Sequence, residues 1–126
     1  MSELSHESID CRVFNKSDDA YKHGKGGIYY RYDDHGELRF PEDVTSVVIL
    51  MPVSWGQVKS EQYDELDADV RDHAVSISWD TNHRLNFDKK HSWALSGTHD
   101  KPTLSPSLNW VGVWHGFLRD GRLESC

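Results

Sequence analysis

Cysteine is scarce in this chain: Cys11 and Cys126 are the two among 126 residues, near opposite ends. A disulfide-stapled secreted scaffold needs more thiols at short spacings, so the fold must rest on burial alone. Long apolar runs are missing as well. None approaches the roughly 18 residues that span a bilayer, and the opening MSELSHESID lacks the apolar stretch of a secretory signal, which predicts a reducing, cytoplasmic setting. Basic charge is short too. Against 14 Lys and Arg stand 21 Asp and Glu, a formal charge of -7, and because clustered cations drive binding to a phosphate backbone, nucleic acid is disfavoured as a partner. The sequence has no Gly-x-Ser-x-Gly elbow and no internal repeat, so a ready-made hydrolase turn is absent. Lys22-His23-Gly24-Lys25-Gly26-Gly27 is rich in glycine without the spacing of a phosphate loop, and reads as a flexible loop.

What is there suits one β domain. A chain of this length buries about two-thirds of its extended surface on folding, enough for a modest core. Residues 44–51, VTSVVILM, form a continuous apolar run ahead of Pro52, and their β-branched content predicts a buried central strand. Ile28 to Tyr32 and Glu37 to Phe40 read as a hairpin across residues 33–36. Val75, Ile77 and Trp79 alternate with polar residues, as a half-buried strand does. Thr81-Asn82 turns that strand back toward residues 84–87, and residues 92–96 follow with Trp93 and Leu95 on one face. Helix is expected in residues 60–72 if anywhere, with an extended surface loop as the other reading of that acidic segment. The fold class is therefore mainly β, a small antiparallel sandwich or roll with at most one short helix. Residues 1–27 form a polar N-terminal segment, partly mobile, and residues 28–126 the β domain.

The C-terminal stretch, KPTLSPSLNWVGVWHGFLRDGRLESC, is the most particular. Leu104, Pro106, Leu108 and Trp110 alternate with Thr103, Ser105, Ser107 and Asn109, which puts an apolar row toward the core and a hydroxyl row toward solvent. Pro106 has no N–H for a neighbouring strand, so this strand must lie at an edge or carry a bulge. Asp120-Gly121 suits a two-residue hairpin turn, because both positions need positive φ. The register that follows sets Arg119 against Arg122, Leu118 against Leu123, Gly116 against Ser125 and His115 against Cys126. Opposed β-carbons lie about 4.5 to 5.5 Å apart, so an imidazole and a thiol would share one spot. Two opposed arginines repel, so the tip is either solvated or meets something acidic. Trp114 falls on the opposite face from His115, and Gly116 leaves its ring room to pack or to meet a partner.

Pro102-Thr103-Leu104-Ser105-Pro106-Ser107-Leu108, followed by Trp114-His115-Gly116-Phe117 and Asp120-Gly121, resembles a family of short phage and prophage proteins of unknown function, some labelled "ammonia monooxygenase". The resemblance covers roughly residues 93–126, with Leu50-Met51-Pro52 as a further similar step. It implies a phage-related setting. Distant relatives encoded beside bacterial ubiquitin-like conjugation genes look like zinc-containing peptidases, with cysteines after the Leu-Pro step and a Cys-His. Here Val53, Ser54 and Trp114 occupy those places, so no metal and no cofactor are expected. His91, His99, His115 and Cys126 are the side chains of ligand type, without a ligand spacing.

Two functions stay open. One is a phage or prophage accessory protein that acts by protein contact on a host or virion component, through Trp55, Trp114, Arg119 and Arg122; aromatic and arginine side chains dominate such interfaces. The other is a small hydrolase of peptidase type. It would use His115 with Ser105, Ser107 or Cys126, and Asp100 or Asp120 to orient the imidazole. Membrane is not expected as a partner, and the oligomeric state is open.

Overall fold

A computed structural model describes residues 8–34, 36–57, 71–81, 92–110 and 114–125. In chain order the elements are β1 (Ile9–Asp10), β2 (Arg12–Val13), α1 (Ser17–His23), β3 (Gly27–Tyr32), β4 (Val44–Ser54), β5 (Ala74–Asp80), β6 (Ala94–Gly97), β7 (Pro102–Trp110), β8 (Trp114–Arg119) and β9 (Arg122–Ser125). They build two sheets, one ordered β1-β9-β8-β7-β6 and the other β2-β3-β4-β5. Every pairing is antiparallel except β2 with β3. The mainly β sandwich expected from the alternating patterns is the observed architecture.

The core lies between the sheets. Val47, Ile49, Met51, Val53, Val75 and Trp79 from one sheet meet Leu104, Leu108, Trp114, Leu118 and Leu123 from the other. Strand β4 is apolar on both faces for a structural reason. Its alternate residues Val48 and Leu50 are covered by Ala20 of α1 and Tyr29 in a second, smaller cluster, so from Val47 to Val53 every residue is buried whichever face it lies on. The strand runs on through Pro52 to Ser54, with a register irregularity between Leu50 and Ser54 where proline has no N–H to pair.

Three expectations need correction. The partner of β3 is β4, with Tyr30 opposite Val47, and residues 37–40 are not a strand. The buried carboxylate of Asp43 accepts hydrogen bonds from the backbone N–H of Glu37 at 2.8 Å and of Arg39 at 3.0 Å. This wraps residues 36–43 into a loop in which two backbone donors are spent on a side chain rather than on a ladder. Helix also occurs outside residues 60–72. Ser17–His23 forms about two turns with Asp18 and Asp19 in its first turn and Lys22 and His23 in its last, matching the helix dipole. The Lys22 to Gly27 stretch is tied in as well, since Gly24 closes α1 at φ 82° and Gly26 donates its N–H to the Leu50 carbonyl at 2.7 Å. The expected helix or loop at 60–70 and strand at 84–87 lie outside the described residues.

The C-terminal hairpin has the expected register, with Arg119 opposite Arg122, Leu118 opposite Leu123 and Gly116 opposite Ser125. Asp120 and Gly121 take φ of 48° and 73°, as a primed turn requires. Each arginine has an acid of its own. Arg122 meets Asp10 at 3.2 Å and Arg119 meets Glu124 at 3.8 Å while lying over the Phe117 ring. The tip is thus neutralised from within the chain.

Candidate active site

Strand β7 opens the site. It begins in register with β8, Leu104 opposite Leu118, and resumes after an irregularity with Leu108 opposite Gly116 and Asn109 opposite His115. Between these points sit Ser105, Pro106 and Ser107, and the proline that cannot donate to a ladder accounts for the break. Leu104 and Leu108 stay buried on either side of it. The bulge expected from Pro106 is therefore present in a strand flanked on both sides, although Pro106 itself is exposed rather than core-facing.

That break brings two candidate side chains together. Ser107 and His115, diagonal across the β7–β8 pair, approach to 3.2 Å between Oγ and Nε2. Trp114 and Leu108 on the same strands are fully buried, so by alternation the serine and the imidazole lie on the outward face of the sheet, half-exposed. A serine hydroxyl donating to an imidazole nitrogen is the pairing that nucleophilic catalysis uses to remove the hydroxyl proton. The backbone at Ser107 is itself held, because Trp93 donates its indole N–H to the Ser107 carbonyl at 3.2 Å.

The other candidates fall elsewhere. Ser105 faces Ala94 across the β6–β7 pair. Asp100 lies 3.0 Å from His99 Nδ1, and Asp120 donates its backbone N–H to Thr103 Oγ1 from within the turn. Among the described residues no carboxylate joins His115, which leaves a pair rather than a triad. Cys126 and His91 lie outside the described residues, as does the proposed meeting of Cys126 with His115. Cys11 offers no thiolate, since burial pushes its pKa up to about 12. Among the described residues no three His, Cys, Asp or Glu side chains gather as a metal site.

The tryptophans divide. Trp114 is fully buried, its N–H donated to Ser125 Oγ at 3.0 Å, and its ring passes over the place where a Gly116 side chain would be. Of the two readings of Trp114, packing and contact with a partner, its full burial supports packing and removes it from the contact residues, and Gly116 makes room for the ring. Trp55 stands in a short 3-10 turn, Trp55–Gln57, where β4 ends. With Trp79 and Trp110 it lines a groove of about 400 Å³ that also touches Val75, Ile77 and Asn109. Asn109 is the residue opposite His115, so the groove adjoins the serine–histidine pair. Sequence reasoning left Asn109 and Trp93 without a site role; alternation placed each on a face, but only the strand register brings them to Ser107 and His115.

Comparison with known families bears on this corner of the molecule. Residues 73–126 match the model of BubE, a bacterial ubiquitination-like system serine protease. No curated protein and no solved structure matches the chain. The span matched to BubE contains β5 through β9, and with them Ser107, His115, Trp93 and most of the groove. The peptidase relatives implied by the C-terminal motifs are in this respect supported, and the chemistry in the family's name is that of serine.

Proposed function

We propose that this protein is a serine hydrolase of peptidase type, with Ser107 as nucleophile and His115 as general base. The observation that carries the reading is the 3.2 Å contact between Ser107 Oγ and His115 Nε2, inside the span similar to a serine protease family. In the forward step His115 Nε2 takes the hydroxyl proton as Ser107 Oγ bonds to the carbonyl carbon of a peptide group. The C–N bond then breaks, and the imidazolium returns that proton to the leaving amine. Water, deprotonated by the same nitrogen, releases the acyl group and restores Ser107. A bacterial ubiquitination-like pathway is the setting that the matched family supports.

Reaction with a fluorophosphonate, which traps serines activated by a neighbouring base, tests the assignment. The wild-type chain should be labelled at Ser107, and Ser107→Ala should take no label. His115→Asn should slow labelling by about a hundredfold or more, the usual scale of general-base assistance. Ser105→Ala should still be labelled. A wild-type chain modified at Ser105 would overturn the assignment of the nucleophile, and one that resists the reagent would return the protein to the class of non-catalytic binders.

A further inference from the structure

The groove beside the pair has features that a purely structural hollow does not need. Five consecutive residues of β5, Val75 to Trp79, line it. Residues of both strand faces can line one hollow only if it runs along the strand's edge. Strand β5 ends its sheet and forms a ladder with β4 alone among the described residues, although at Asp80 its outer-edge carbonyl accepts the N–H of Trp93 at 2.9 Å. On the opposite wall, β6 pairs with β7 only from Pro102 to Ser105, so Asn109 and Trp110 have no strand on that side among the described residues. The groove thus lies between two strand edges. Trp79 is buried at 4% exposure, and its indole N–H has no hydrogen-bond partner among the described residues.

We infer that this groove binds an extended peptide as an added strand and seats one apolar side chain of that peptide among Trp55, Trp79 and Trp110, next to the bond cleaved by Ser107. An added strand satisfies edge donors and acceptors through its backbone, whereas pockets for alternate side chains give selectivity. Indole walls with Val75 and Ile77 beneath favour a branched aliphatic or aromatic side chain and disfavour a carboxylate, which would lose its hydration against them. The inference rests on the hydrolase reading for the position of the cleaved bond, while the binding itself can be measured without cleavage.

Fluorescein-labelled hexapeptides that differ at one central residue, Leu, Phe, Gly or Asp, would be titrated against the Ser107→Ala chain by fluorescence anisotropy. The Leu and Phe peptides should bind at least about tenfold more tightly than the Gly and Asp peptides, a difference of about 1.4 kcal/mol. N-methylation of alternate backbone amides should weaken the Leu peptide by a similar factor, because it removes the donors of an added strand. Trp55→Ala should abolish the preference for Leu over Gly. Equal affinities across the series, or indifference to N-methylation, would overturn the inference, and neither result depends on a variant of the groove folding. Selective binding by a chain whose wild type resists fluorophosphonate would support the groove and overturn the hydrolase reading.

Discussion

Ser105 and Ser107 carry the same hydroxyl on the same strand, and the ladder alone separates them. Had β7 kept the register set by Leu104 and Leu118, His115 would face Ser107 directly; after the break it faces Asn109, with Ser107 on the diagonal. Diagonal neighbours remain within reach of a long side chain such as histidine. A second residue with a decisive position is Asp43. The backbone N–H of Arg39 holds its carboxyl below the ordinary range, helped by the Arg39 guanidinium and the N–H of Glu37. A carboxyl whose pKa is lowered on folding stabilises the native state above its unfolded value, and that contribution is lost as pH falls through the folded value. Stability should therefore be insensitive to this group at neutral pH and decline below about pH 3.8, the unperturbed value. Urea midpoints measured from pH 7 to pH 3 should show this decline, and Asp43→Asn should be less stable at pH 7 with a shallower acid limb. An acid limb of unchanged slope in Asp43→Asn would show that other carboxylates set it.

At the scale of elements, β8 and β9 show how one small residue allows a large one. A β-carbon at Gly116 would meet the Glu124 carbonyl of β9 and would stand 2.5 Å from the Trp114 ring. Neither can give way easily, because the carbonyl belongs to the ladder and the ring is fully buried. Gly116→Ala should destabilise the protein by about 1 to 3 kcal/mol, the range for overpacking a core. Adding Trp114→Phe to Gly116→Ala should recover part of the loss, since the smaller ring vacates that space. A double-mutant cycle on urea unfolding would read this coupling, and strict additivity would place the strain at the Glu124 carbonyl instead. The hairpin was legible in the sequence because Asp-Gly is strong local turn chemistry. Strand β4 was legible because β-branched residues fill a run too short for a buried helix. The loop at residues 36–43 was not. A single aspartate reaching back to two backbone donors leaves no periodic trace, so the apparent hairpin across residues 33–36 was the simpler reading. The site was half legible for the same reason: the residue types were visible, but which serine meets His115 depends on a bulge whose width local rules do not fix.

For the molecule as a whole, the segment from Ile9 to Phe14 ties the two sheets together. Strand β1 pairs with β9 in one sheet, and three residues later β2 pairs with β3 in the other. Between them Cys11 donates its N–H to the Gly121 carbonyl at 2.8 Å, and Arg12 and Phe14 donate theirs to Gly26 at 2.9 Å and Ile28 at 2.8 Å. Gly26 has to be glycine there, since a β-carbon would stand 2.8 Å from the Asp10 carbonyl. Ile9, Cys11 and Val13 pack against the main core from this side. Polar composition hid all of this, because the strap contributes only a few apolar side chains and its pairing partners lie far along the chain. Removing residues 1–13 should strip those contacts and expose an edge of each sheet. Half-burial of three small apolar side chains is worth about 3 kcal/mol in total, a large share of the roughly 5 to 15 kcal/mol that holds a domain of this kind. The truncated chain should therefore unfold at a clearly lower urea concentration and associate at its uncovered edges, which sedimentation would detect. A truncated chain that is monomeric and unfolds at the same midpoint would show that the two sheets hold together through their facing cores alone.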